Sequence, residues 1–109
     1  MISLNSKIYV AGHNGLVGSA ILRKLKKKGY KKIYIKNRQE LDLTNQNKVF
    51  RYLKKIKPDF IFIAAAKVGG IYSNNKFRAE YINENLAIQI NLIHGAYLAG
   101  VRDLIFLGS

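Results

Sequence analysis

Three glycines spaced three apart carry the clearest chemical signal in this chain. They sit in the run Ala11-Gly12-His13-Asn14-Gly15-Leu16-Val17-Gly18-Ser19-Ala20-Ile21. A short apolar stretch, Lys7-Ile8-Tyr9-Val10-Ala11, precedes them, and an apolar pattern at helical spacing follows at once. A strand that stops, a turn free of side chains and a helix N-terminus together make the receptor a dinucleotide pyrophosphate needs. Gly12 can take backbone angles closed to other residues, and Gly15 lets the main chain come close to phosphates. Gly18 lets the helix lie against the strand. The start of such a helix offers unpaired N–H groups and roughly half a positive charge. The same residues would also make a tight strand–helix turn with no ligand, but strand, turn and helix together favour the nucleotide.

Composition narrows the remaining chemistry. The 109 residues contain no cysteine, so a disulfide framework, a thiolate metal site and a thiolate nucleophile are all excluded within them. No metal site is expected. The length allows at most one domain, and 49% hydrophobic residues are enough for a folded core. No signal peptide and no stretch of 18 apolar residues is present, which reads as a soluble cytoplasmic chain away from membranes. The net charge of +13 invites a nucleic-acid reading. The densest basic run, Arg23 to Lys32, falls at the end of the first helix, where cations suit the negative pole of the dipole. A solvated basic face is therefore expected there, with no nucleic-acid partner, and its field would attract an anionic cofactor.

The elements that must position the glycines alternate between strand and helix, the pattern of a parallel sheet covered by helices. Strands are expected at 7–11, 32–36, 59–64 and 104–107. The first helix is expected from about 15 to 28, with Val17, Ile21 and Leu25 on one face and Gly29 as its stop. Thr44 or Asn45 caps a second helix bearing Val49, Phe50, Leu53 and Ile56, ended by Pro58. Phe60-Ile61-Phe62-Ile63 is apolar on both faces, as a buried central strand should be. A long helix follows from about 74 to 99 with two apolar stripes. One is Ile82, Leu86, Ile90, Ile93 and Tyr97; the other is Phe77, Tyr81, Ile88 and Leu92. Right-handed crossovers in the usual doubly wound arrangement give the strand order 3-2-1-4, with the fourth strand an unprotected edge. The fold class expected is α/β, a Rossmann-type doubly wound parallel sheet cut off after its fourth strand.

The spacing Gly12-x-x-Gly15-x-x-Gly18 resembles that of the extended short-chain dehydrogenase/reductases, and within them the chain resembles the GDP-L-fucose synthase family. The matching blocks are residues 11–21, Glu40-Leu41-Asp42-Leu43, Ala64-Ala65-Ala66-Lys67-Val68-Gly69-Gly70-Ile71, Glu84-Asn85-Leu86, Asn91-Leu92-Ile93-His94 and Phe106-Leu107-Gly108-Ser109. They span essentially the whole chain in order. The alanine–glycine block is far more specific than the glycine loop. Enzymes of this family epimerise two carbons of GDP-4-keto-6-deoxy-D-mannose and reduce its ketone with NADPH, yielding GDP-L-fucose.

Carried over residue by residue, the resemblance implies that Gly12, His13, Asn14, Gly15, Leu16, Val17 and Gly18 cradle the cofactor pyrophosphate. Arg38 stands near where an NAD-specific protein places an acid, and its guanidinium suits the 2′-phosphate of NADP; a surface arginine without ligand is the alternative. Some members carry a second arginine in the glycine loop where this chain has Asn14, so NADP preference is expected to be milder. Asp42 resembles the acid that accepts from the adenine amino group, or it caps a turn. Ala64, Ala65 and Ala66 leave room for the cofactor or pack tightly, and Leu107 and Gly108 adjoin it. Lys67 to Ile71 border the nicotinamide and sugar pocket, with no chemical step assigned to Lys67. Asn85 supports backbone and water near the site or is structural, and His94 is a satisfied or surface histidine. Ser109 is the catalytic residue implied, a hydrogen-bond donor to the substrate ketone.

The resemblance places a Tyr-x-x-x-Lys pair, the epimerisation residues and a substrate domain beyond Ser109. Residues 1–109 are thus expected to be the N-terminal part of an NADP-binding domain, inactive alone, from a protein that works as a homodimer. A non-catalytic nucleotide-binding or regulatory Rossmann module is the alternative.

Overall fold

A computed structural model describes residues 2–65 and 75–107; the side chains of residues 75–79 and 81 fall outside that description. Seven elements run in the order β1 (Lys7–Ala11), α1 (Leu16–Lys27), β2 (Lys32–Tyr34), α2 (Gln46–Ile56), β3 (Phe60–Ile63), α3 (Asn75–Leu98) and β4 (Asp103–Phe106). β1 matches its expected range, β2 ends two residues early, β3 loses one residue at each end, and β4 begins and ends one residue early. Asn45 is the N-cap of α2, its side chain accepting from the Lys48 N–H, and Lys57 in left-handed conformation (φ 45°) ends the helix just before Pro58.

The four strands are parallel, in the order β2-β1-β3-β4. The expected order 3-2-1-4 is therefore corrected: β3 lies beside β1 and not outside β2. Burial explains the choice. Interior positions go to β1 and β3, whose residues Ile8, Tyr9, Val10, Ala11, Ile61 and Ile63 are all buried. The edge goes to β2, a three-residue strand that starts on an exposed lysine and has half-buried Ile33 and Tyr34. β4 forms the other edge, with Ile105 and Phe106 exposed.

This order also sets the faces. The step from β1 to β2 and the step from β2 to β3 run in opposite directions, so right-handed crossovers put their helices on opposite sides. Side chains agree. Ile8, Val10 and Leu25 form one cluster with Ile21, Phe60 and Phe62, under α1. Tyr9, Ala11, Ile61 and Ile63 form the other with Val49, Leu53 and Ile56 of α2 and Ile88, Leu92 and Ala96 of α3. α2 and α3 lie so close that a methyl on Gly95 would come 2.9 Å from the Phe50 ring.

α3 divides its two apolar stripes between core and surface. Ile88 and Leu92 of the second stripe are both buried in the core. Ile82, Leu86, Ile90, Ile93 and Tyr97 face outward instead. Phe77 and Tyr81 lie outside the described side chains. Among the described residues no helix is long and apolar enough to cross a membrane.

Candidate functional site

β1 delivers the chain to Gly12, whose φ of +91° strains any residue with a side chain. A Cβ there would stand 2.6 Å from the Ala65 nitrogen and 2.7 Å from the Ala64 carbonyl carbon. The backbones leaving β1 and β3 thus touch, and Ala64 N–H donates to the Ala11 carbonyl at 2.9 Å. A Cβ on Gly18 would run into the Gly12 carbonyl, so the base of the loop is closed as well. Gly15 differs: a Cβ there would meet only the Gly12 carbonyl oxygen, at an ordinary 3.6 Å. Gly12 and Gly18 serve close packing, whereas Gly15 keeps the approach to the helix open.

The starts of α1 and α2 are built differently. α1 begins after Gly15 with no side-chain cap and no acidic residue in its first turn. α2 has its first turn satisfied by Asn45 Oδ1, which accepts from Lys48 N–H at 3.1 Å. An uncapped first turn leaves amides for an outside acceptor, which the dipole makes anionic by preference.

A cleft of about 210 Å³ opens at this point. It sits past the carboxyl ends of β1 and β3, whose outgoing helices leave on opposite faces, where open α/β sheets bind ligands. Gly12, His13, Asn14 and Gly15 line one side, with Ala64 and Ala65 beside them. Lys36, Asn37 and Arg38 and then Leu41, Asp42, Leu43 and Thr44 line another, and Glu84 and Ile88 come from α3.

The wall after β2 is held by its own polar groups. Asn37 N–H donates to Glu40 Oε1 at 3.0 Å, and Glu40 N–H returns a bond to Asn37 Oδ1 at 2.8 Å. Asp42 Oδ1 accepts from Thr44 N–H at 3.0 Å and from the Thr44 hydroxyl at 2.7 Å. These two bonds hold the Asp42 carboxyl below its ordinary range, with the charges of Arg38 and Lys48 assisting. Asp42 is therefore a turn aspartate that also borders the cleft. Lys36 places its ammonium 5.6 Å from the centre of the Tyr52 ring. Burial, with Tyr34 and Glu40 nearby, pushes the Tyr52 phenol up to about 12. Burial raises Tyr9 further, so both phenols stay neutral.

These features suit a dinucleotide. An uncapped helix start, the cations of Lys36 and Arg38 and the carboxylate acceptor of Asp42 all border one cleft. His13 Nδ1 is buried with no hydrogen-bond partner among the described residues, an arrangement that a polar ligand would relieve. Among the described residues no group of three or more His, Asp or Glu could hold a metal.

The structure thus brings Gly12, His13, Asn14, Gly15, Arg38, Asp42, Ala64 and Ala65 to one cleft. Leu16 and Val17 stand exposed at the start of α1, and Gly18 lies beneath the loop. Leu107 N–H donates to Ile63 O, extending the sheet, and Leu107 does not line the cleft. Ala66, Lys67 to Ile71, Gly108 and Ser109 lie outside the described residues. His94 is exposed and stacks on Phe50 with ring centres 5.5 Å apart. Lys36, Asn37, Leu41, Leu43, Thr44, Glu84 and Ile88 join the cleft without having been assigned to it. Asp42-x-Thr44 is the spacing of a turn in which an aspartate caps the backbone two residues on, a signal available in advance. Glu84 stood only in a matching block and Ile88 only in an apolar stripe, because the packing of α3 is what brings them there.

Known proteins extend this geometry. GDP-L-fucose synthase 1 of Arabidopsis thaliana is 51% identical over 109 residues, which is all of this chain and 34% of that protein. GDP-L-fucose synthase of Escherichia coli (strain K12) is 41% identical over 103 residues, 94% of this chain and 32% of that one. Among solved structures, MlghC, a GDP-mannoheptose C4 reductase from Campylobacter jejuni with NADP bound, superposes with a TM-score of 0.93 at 44% identity, covering 99% of this chain and 34% of its own. The chain spans about a third of the length of the curated relatives it matches. The model of the NAD dependent epimerase/dehydratase family matches residues 8–109, from β1 onward, and the chain belongs to that family.

Proposed function

We propose that the chain is the NADP-binding N-terminal part of a GDP-L-fucose synthase-like enzyme, an oxidoreductase acting on GDP-4-keto-6-deoxy-D-mannose. The observation that carries the reading is the cleft that gathers an uncapped helix start, two cationic side chains and Asp42. Identity of 41–51% to GDP-L-fucose synthases along nearly the whole chain supports the substrate class. Bound NADPH would supply the hydride that reduces the ketone.

The chain's own residues bind and orient. Amides at the start of α1 receive the diphosphate, and the guanidinium of Arg38 pairs with the 2′-phosphate through two parallel hydrogen bonds. Asp42 accepts from the adenine amino group through Oδ2, since its bonds to Thr44 fall on Oδ1. The small side chains of Ala64 and Ala65 leave the middle of the cleft open. Ser109 donates to the ketone oxygen, where negative charge develops during reduction. The enzyme works as a homodimer, and residues 1–109 alone bind cofactor without turnover.

Titration of the chain with NADPH and NADH, followed by nicotinamide fluorescence, tests the reading. NADPH should bind more tightly, and Arg38→Ala should cut that preference by about tenfold to a hundredfold, the loss of hydrogen bonds to a charged group. No binding by the parent chain, or equal weakening of both cofactors in the variant, overturns it.

A further inference from the structure

We infer that Asn91, on α3, is a positioning residue that sets the adenine side of the cleft; this rests on the cofactor reading above. The wall from Lys36 to Thr44 closes mainly on itself. Asn37 pairs with Glu40, Asp42 pairs with Thr44, and Asn45 N–H donates to the Asp42 carbonyl. Lys36 lies over the Tyr52 ring and Leu43 packs against the main core, and two further side chains reach deeper into the fold. Leu41 is buried in the main core. Asn91 Nδ2 donates to the Leu43 carbonyl at 2.9 Å, across 48 residues of sequence.

Apolar and polar attachments do different things. Apolar packing of Leu41 and Leu43 holds the wall down but is non-directional, so it fixes depth without aiming the peptide groups between them. A hydrogen bond weakens steeply as its angle closes, so Asn91 fixes the main chain between Asp42 and Thr44 in orientation. Asn91 lies between Ile88 and Leu92 on the buried side of α3 and is only 6% exposed. An amide there is costly unless it is bonded, and the Leu43 carbonyl is its partner. Ile88 of the same helix lines the cleft. Asn91 therefore sets Asp42 in register with the α3 side of the pocket.

The test compares Asn91→Leu and Asn91→Gln with the parent chain, titrated with NADPH and with 2′,5′-ADP at a temperature where circular dichroism shows all three folded. Asn91→Leu should weaken both ligands by the same factor, about fivefold, the worth of one directed hydrogen bond. Asn91→Gln, which keeps a donor one methylene further out, should recover part of that loss. Asn91→Gln against the parent decides the matter if Asn91→Leu does not fold. A lower melting temperature with unchanged 2′,5′-ADP affinity makes Asn91 merely structural and overturns the inference. So does weakening of NADPH with 2′,5′-ADP untouched. A parent chain that binds neither ligand defeats the cofactor reading itself, an outcome distinct from both.

Discussion

Asp42 shows how one side chain can satisfy two readings of the same sequence. Its Oδ1 caps the turn at Thr44, and the residue also lines the cleft. Both bonds from Thr44 favour the ionised carboxyl, so its folded-state pKa lies below the unfolded value of about 3.9. For a depressed carboxylate the stabilisation is present above the unfolded value and disappears as pH falls through the folded one. Thr44→Val removes the hydroxyl donor and keeps the backbone donor. At neutral pH the variant should be less stable by about 1 kcal/mol or less. Melting curves recorded from pH 7 down to pH 2 should show that gap hold to about pH 4 and then narrow towards zero. A gap that stays constant to pH 2 would mean that Thr44 acts through packing and not through the Asp42 charge.

Individual elements were legible in the sequence, but their neighbours were not. Apolar runs located all four strands, and Asn45, Gly29 and Pro58 marked helix boundaries, because these signals act within a few residues. Strand order depends on which face each helix covers, which no local window contains. The clue lay in comparing strands: Lys31, Lys32 and Lys36 mark β2 as an edge, whereas β3 is apolar on both faces. The glycine loop was legible for the same local reason that the strands were, yet the place of Glu84, Ile88 and Asn91 at the site was not, since α3 reaches it only through tertiary packing. Gly18 gives the element scale its prediction. Alanine is the better helix former by about 1 kcal/mol, so propensity alone favours Gly18→Ala. The added methyl would collide with the Gly12 carbonyl, a backbone atom that cannot move without opening the loop. Overpacking costs about 1–3 kcal/mol and should win. Chemical denaturation should show net destabilisation, and NADPH affinity should fall with it because the loop is displaced. An alanine variant as stable as the parent, with undiminished affinity, would mean that α1 does not press on the loop.

For the molecule as a whole, the outer side of α3 stands out. Ile82, Leu86, Ile90, Ile93 and Tyr97 recur every three or four residues, and each is 45% exposed or more. A contiguous apolar stripe of this kind calls for a cover, and the proposed homodimer supplies one, in which a two-fold axis would bring the same stripe from each copy together. Leu86→Glu with Ile90→Glu puts two carboxylates on each face, hence four across such an interface. Leaving charges buried without partners costs several kcal/mol, so the dimerisation constant should fall by about a thousandfold or more. Neither residue lines the cleft, so NADPH affinity should stay as it was. Salt separates the two equilibria further. Each copy carries a net charge of +13, and screening relieves repulsion between copies while weakening attraction for an anionic cofactor. Raising sodium chloride should therefore strengthen self-association in sedimentation velocity and weaken NADPH binding in titration. A parent chain that sediments as a monomer at every salt concentration would remove the stripe as an interface between copies, and leave the cleft unaffected.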